Sequence, residues 1–191
     1  MGTKGLNDTA SASPLSTDWW TMRDGTQVLI RSIRPEDETL MVAFHERLSE
    51  RSVYMRYFES LSFKARTAHA RLSRICFVDP QQETVLVAVH SDRGTGSQRI
   101  LAVARLTKLP DGTTAEIAAL VSDDHQGRGL GTELLRRLLQ MAPKQGIRRI
   151  NAEMLRDNIL MQSIARKLGF RLYLLEDPRS VRAAMDIEPS K

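Results

Sequence analysis

Hydrophobic and polar positions change period several times along the chain, and the changes divide it into elements. Residues 26–33 are a short run rich in β-branched side chains, which predicts a strand. Next, Arg34-Pro35-Glu36-Asp37-Glu38 puts proline near a first helical position and acids in the first turn, where the helix dipole favours them. Leu40, Met41, Phe44 and Leu48 then recur at helical spacing. The arginine-rich stretch 49–73 predicts one or two further helices. Residues 83–90 and 99–107 read as strands joined by the turn-forming run 91–97, and Pro110-Asp111-Gly112 leads into a third strand over 113–122. Leu130, Leu134, Leu135, Leu138, Leu139 and Ala142 line one side of a helix that Pro143 ends or kinks. Gly146 then turns the chain into a strand over 147–155, another helix opens at Asn158, and the apolar run 181–187 offers a final strand. Strand, helices, three strands, helix, strand, helix, strands: the order implies an α/β fold, a mixed sheet with helices on its faces.

Length and composition narrow this. One domain is the default for 191 residues, and 41% hydrophobic with 27% charged residues is ordinary for a globular chain. Residues 1–17 are rich in Gly, Ser, Thr and Ala and hold almost no large apolar group. Such a run buries too little surface to offset its ordering entropy, so a disordered tail is expected there, with 18–191 as a single domain. The net charge of +5 leaves nucleic acid, an acidic membrane surface or a phosphorylated ligand as partners. The arginines are scattered and lack the interleaved aromatics used to stack bases, which argues against nucleic acid. Cys76 is the only cysteine, so neither an intramolecular disulfide nor a cysteine-based zinc site is available, and no metal is expected. Flanked by Ile75, Phe77 and Val78, it reads as a small buried hydrophobe. No apolar run approaches the ~18–20 residues of a membrane span, no signal-like apolar core follows the N-terminus, and Leu6 stands where a myristoylation signal wants Ser or Thr. A cytoplasmic location is expected.

Candidate chemistry concentrates after the third strand of the central group, in Gln126-Gly127-Arg128-Gly129-Leu130-Gly131-Thr132. Glycines at alternate positions let backbone N–H groups approach a bulky anion and allow positive φ. The helix behind them adds unsatisfied N–H groups and a partial positive charge, and Arg128 adds a full one. The segment suits phosphate or pyrophosphate; an ordinary tight turn would need only one glycine. No Gly-Lys-Ser/Thr closes it, so it is not a Walker A loop. It approaches the dinucleotide fingerprint, with Glu153 about where a ribose-binding acid belongs, but the third glycine comes one place early and Thr132 fills the required site.

The run from Gln126 to Gly131 resembles the Q/R-x-x-G-x-G/A loop of the GNAT superfamily of N-acetyltransferases. Asn158, the helix after it and Lys167-Leu168-Gly169-Phe170 are similar to that family's closing segment, so the resemblance spans roughly 26–187. Upstream, Ile33-Arg34-Pro35-Glu36-Asp37, Phe44-His45-Glu46-Arg47-Leu48-Ser49 and Tyr54-Met55-Arg56-Tyr57-Phe58 resemble the acetyltransferase domain of bacterial Pat-type protein-lysine acetyltransferases. Those often carry a further regulatory or acyl-CoA-synthetase-like domain, for which this length leaves no room.

The resemblance implies a mostly antiparallel sheet with a splayed central strand pair and helices on both faces. It implies that the N–H groups from Gln126 through Thr132 hold the pyrophosphate of acetyl-CoA, the cosubstrate. The strand ending at Leu120 and Val121 would part from the strand at 150–155, with the pantetheine arm in the gap. A backbone N–H near Val121 would stabilise the developing oxyanion. Asn158 serves as N-cap, as a contact to the cofactor arm, or as both. An attacking amine must be neutral, whereas a lysine in water titrates near ~10.4, so a base is expected. Glu116 is the candidate, with the small and apolar Ala118 and Leu120 on its face of the strand. His125 is expected outside the cleft, and no partner is evident for His45, His69 or His90. Ala165 occupies the place of the family's usual tyrosine acid, which leaves water, Ser163 or unassisted departure of the thiolate. The acceptor site would be built from residues 40–73, with a basic, arginine-lined rim. A protein lysine is the leading acceptor; a small amine, or a catalytically silent acetyl-CoA-sensing module, are the other readings.

Overall fold

The computed structural model describes residues 18–92 and 94–188, so the expected tail at 1–17 lies outside the described residues. A hairpin opens the fold, β1 (Asp18–Thr21) and β2 (Gln27–Ser32), followed by a 3-10 turn at Pro35–Asp37 and α1 (Glu38–Glu46). Three helices follow, α2 (Glu50–Tyr57), α3 (Phe63–Arg66) and α4 (His69–Cys76), where one or two were expected. Serines divide the stretch: Ser49 and Ser62 cap α2 and α3 by accepting from the backbone N–H groups of Ser52 and Ala65, both at 3.2 Å. Phe58, left-handed at φ 61°, ends α2 between them.

Then come β3 (Glu83–Ser91), β4 (Gln98–Lys108), β5 (Thr114–Val121), α5 (Leu130–Met141), β6 (Arg149–Leu155), α6 (Ile159–Lys167), β7 (Arg171–Leu174) and β8 (Ser180–Asp186). The strands form one sheet in the order β1-β2-β3-β4-β5-β6-β8-β7, antiparallel throughout except between β5 and β6. Pro143 ends α5 in a 3-10 turn, and Gly146 at φ 75° redirects the chain, as its sequence predicts.

Alternation along the strands gives the sheet two apolar faces. On one side α1, α2 and α4 bury Met41, Phe44, Val53 and Leu72 against Val85, Val87, Ile100 and Leu120. On the other, α5 buries Leu130, Leu134, Leu135 and Leu138 against Ile30, Leu86, Leu106 and Ile150. Each such side chain contributes about 1.5–3 kcal/mol of burial, so both faces are firmly covered. Cys76 is buried in the first core, and burial first, then the charges of Asp37 and Glu38, push its thiol up to about 11. It is the inert hydrophobe its flanks suggested.

Two details fix the frame of the site. Arg31 of β2 meets Asp37 through two buried hydrogen bonds of 2.6 and 2.7 Å, and Asp37 also accepts from the Arg34 N–H at 2.8 Å, which sets the entry into α1. Between β3 and β4 the register slips, with Ala88 facing Ala102 but Val89 facing Ile100, so Leu101 is an extra residue. Its carbonyl accepts from the Ser122 N–H at 2.9 Å and holds the end of β5. Among the described residues no helix is long and apolar enough to cross a membrane.

Candidate active site

The one parallel pairing in the sheet is brief. β5 and β6 pair only at Thr114–Arg149, Ala115–Ile150 and Glu116–Asn151. Beyond these, β5 stays with β4 to Val121 while β6 stays with β8 to Leu155, so the two strands diverge. The wedge between them exposes β5 backbone. Since the Ser122 N–H points to β4, antiparallel alternation sends the N–H and carbonyl of Val121 the other way, into the wedge. Gln126 Nε2 donates to that carbonyl at 3.2 Å and to Ser52 Oγ at 3.0 Å, leaving the Val121 N–H facing the gap.

The glycine-rich loop closes the wide end of the wedge. Gly127 at φ 74° and Gly129 at φ 90° take left-handed conformations that side chains disfavour. No side chain caps α5, and its first backbone bond runs from the Glu133 N–H to the Gly129 carbonyl at 3.0 Å. The N–H groups of Leu130, Gly131 and Thr132 therefore have no partner within the helix and point outward from its positive end. Gly131 abuts β5 so closely that a Cβ there would lie 3.2 Å from Val121 Cγ2.

A roof over this loop was not anticipated. The β1–β2 turn lies on it: the Arg23 N–H donates to the Arg128 carbonyl at 3.3 Å, and Arg23 Nη1 reaches the Gly127 carbonyl at 3.5 Å. A Cβ at Gly129 would stand 3.4 Å from Trp20 Cη2. Arg128 is not the unshared charge its sequence suggested, for its guanidinium pairs with Asp24 in that turn. The Asp24 carboxyl is held below its usual range by hydrogen bonds from Thr26 and then by Arg128. Arg23 brings a second guanidinium to the loop, and the Asp24-Gly25 turn dipeptide beside it was the available signal.

Further contacts place the other residues singled out in the sequence. His125 Nδ1 lies 3.0 Å from Ser122 Oγ, and burial followed by the charges of Arg128 and Arg47 lowers its pKa, which favours the neutral ring. Asn158 caps α6 by accepting from the Met161 N–H at 3.1 Å, so its N-cap role is occupied. Ala165 is on the buried face of α6, in the core that α5 also covers. The three histidines thought to lack partners each have one: Nδ1 of His45 meets the Met41 carbonyl at 3.0 Å, that of His69 meets Glu38 at 2.6 Å, and that of His90 meets the Gln27 carbonyl at 3.2 Å.

Glu116 lies where β5 and β6 part and is exposed. Its face of β5 continues through Ala118 and Leu120 into a cleft of about 460 Å³ walled by α1, α2, α4 and β4. The apolar surround expected for Glu116 is incomplete, since Arg56 of α2 interacts with it electrostatically. Arg71, Arg74 and Arg105 line the same cleft, so the expected basic rim is present. Among the described residues no group of three His, Cys, Asp or Glu is arranged to hold a metal.

The family profile described as Acetyltransferase (GNAT) domain matches residues 27–171. The chain belongs to the GNAT acetyltransferase family. It is 32% identical over 156 residues to Acetyltransferase PA5475 of Pseudomonas aeruginosa, covering 80% of this chain and 81% of that one. It is 31% identical over 169 residues to Acetyltransferase Pat of Mycolicibacterium smegmatis, covering 88% of this chain but only 48% of that relative, whose length it spans by about half. The crystal structure of the GNAT domain of S. lividans PAT superposes with a TM-score of 0.78 at 29% identity, over 89% of this chain and 96% of that one. The mixed, mostly antiparallel sheet with helices on both faces is thus a GNAT fold, and this GNAT protein is an acetyltransferase of Pat-like kinship.

Proposed function

We propose that this acetyltransferase moves the acetyl group of acetyl-CoA onto a lysine side chain of another protein, by direct attack in a ternary complex. The observation that carries the reading is the wedge between β5 and β6, which joins the uncapped glycine loop at one end to Glu116 and the arginine-lined cleft at the other. The wedge fits the donor: its loop offers unpartnered N–H groups to a pyrophosphate, and its β5 edge offers hydrogen-bonding backbone to an amide-bearing arm. Bound acetyl-CoA supplies an acyl group activated as a thioester.

The protein's own residues do the rest. The N–H groups from Gly127 through Thr132 hold the pyrophosphate, with Arg23 and Arg128 beside them, while the expected Gln126 N–H is taken by the Asp123 carbonyl at 3.3 Å. Leu120 and Val121 flank the arm, Asn158 offers it an amide from the far side of the wedge, and the Val121 N–H donates to the thioester oxygen as negative charge builds there. Glu116 accepts the proton of the acceptor ammonium, directly or through a water, and frees the nitrogen lone pair. The C–N bond forms at the acyl carbon, the nitrogen gives up a second proton to water, the C–S bond breaks, and the thiolate takes its proton from water, since the buried Ala165 provides no acid. Residues 18–191 act as one catalytic domain, working in the cytoplasm.

The kinship with Pat favours a protein lysine over a small amine. Incubation with labelled acetyl-CoA and a bacterial lysate tests this: label on lysines of particular proteins is expected. Turnover confined to small amines would replace the acceptor, and no turnover with tight donor binding would leave a sensing module.

A further inference from the structure

We infer that the acceptor cleft recognises carboxylates, so that the lysine it takes lies in an acidic stretch of its protein. The inference rests on the protein-acetylating reading above and deepens it. Four guanidinium groups, from Arg56, Arg71, Arg74 and Arg105, converge on one cleft from two helices and a strand. Arg105 is partly neutralised by Glu83 at 3.6 Å. Arg56, Arg71 and Arg74 enter no ion pair among the described residues.

Arg56 and Arg71 are held, not waving in solvent. The Tyr57 ring has the Arg71 guanidinium carbon 4.6 Å from its centroid and that of Arg56 at 5.1 Å, both cation–π distances. Arg71 Nε is buried without a hydrogen-bond partner. Burial, then the charges of Arg105 and Arg71, push Arg56 below its ordinary value, with Tyr57 and Glu116 opposing. Crowded, half-buried and unpaired cations cost free energy that an anion would recover, and the planar guanidinium fork matches a carboxylate.

The arrangement constrains the acceptor. A bare alkylammonium entering this field is repelled, yet it must reach Glu116. Negative charge carried near the amine resolves the conflict, and the same cationic field favours the neutral amine needed for attack. Ile75 and Val103 offer apolar surface to the lysine stem.

The test uses peptides of equal length with a single lysine flanked by Asp and Glu, by Ser and Ala, or by Lys. We expect kcat/KM about 10-fold higher for the acidic than for the neutral peptide, the preference shrinking as salt is raised. Arg74 is exposed and its replacement spares the core, so Arg74→Glu is the informative variant; it should shrink or invert the acidic-to-neutral ratio. Equal values across the panel, or a ratio unmoved by Arg74→Glu, would overturn the inference. If no peptide is acetylated, the protein-lysine reading fails, and anisotropy of the same labelled peptides still decides this one: tighter binding of the acidic peptide upholds carboxylate recognition, and equal binding ends it.

Discussion

Ser49 and Asp123 lie 74 positions apart yet share two hydrogen bonds, the Ser49 N–H to Oδ2 at 3.0 Å and the Ser49 hydroxyl to Oδ1 at 2.6 Å. Ser52 Oγ donates to the same Oδ1 at 2.9 Å. Asp123 lies just after β5 and leads into the glycine loop, while Ser49 opens α2, a wall of the arginine-lined cleft. One carboxylate thus ties the glycine loop to the wall of that cleft.

Replacing Asp123 by Ala should loosen both. Burial opposes ionisation of this carboxyl, but the bonds from Ser49 and Ser52 outweigh it and hold the group below its usual 3.8. Its stabilising effect is therefore full above that value and fades as pH falls through the lowered one. Asp123→Ala should cost about 1–3 kcal/mol by denaturant unfolding at pH 7, with KM raised for donor and acceptor together. A rise confined to one substrate would show that the tie does not couple them.

The loop glycines should fail for different reasons. Gly129→Val places a β-branched residue at φ 90° and pushes its side chain toward Trp20 and Arg23, so donor affinity and stability should both drop, the latter by about 1–3 kcal/mol. Gly131 is helical, and a Cβ there meets only Val121. Gly131→Ala should keep its Tm within a few degrees while weakening acetyl-CoA binding measured by calorimetry. Unchanged affinity would remove the loop from the donor site.

Glu116→Gln keeps shape and removes the proposed base. The expected result is a kcat lowered by about 10²-fold or more with donor Kd unchanged. A kcat within twofold of the parent would show that Glu116 is only a solvated carboxylate on the strand.

Buried His45 imposes an acid limit on the fold. Burial lowers its pKa from 6.5 to about 4, with its Nδ1 on the Met41 carbonyl and its Nε2 unpartnered. The unfolded chain binds a proton below 6.5 that the fold refuses until about 4. Stability should therefore be constant above pH 6.5 and fall by up to about 1.4 kcal/mol per unit below it. Unfolding curves at pH 7.5, 6 and 5 measure this slope, and His45→Phe should flatten it. A slope undiminished by the substitution would place the proton uptake elsewhere, as at His125, whose pKa is also lowered.

Why some of this was legible in the sequence and some was not follows from the range of the interactions. The loop and α5 could be read because three glycines, a leucine stripe and Pro143 act within one short segment. β3, β4 and β5 could be read because β-branched runs and turn residues are also local. The four-residue β1 shows no alternation to read, its two tryptophans standing side by side. The tie made by Asp123 could not be read because its partners come from α2, nor could the pairing of Arg128, because Asp24 lies on another hairpin. The arginine cleft combines two helices and a strand, which only the folded sheet brings together.

Trp20, whose indole would stand 3.4 Å from a Cβ at Gly129, gives the protein an optical reporter of its own. The other tryptophan, Trp19, is 58% exposed and points to solvent, so it contributes a steady background. An anion arriving on the loop changes the polarity and rigidity around Trp20. Its intrinsic emission should then shift and saturate with donor concentration, without a label, a coupled assay or any acceptor in the cuvette.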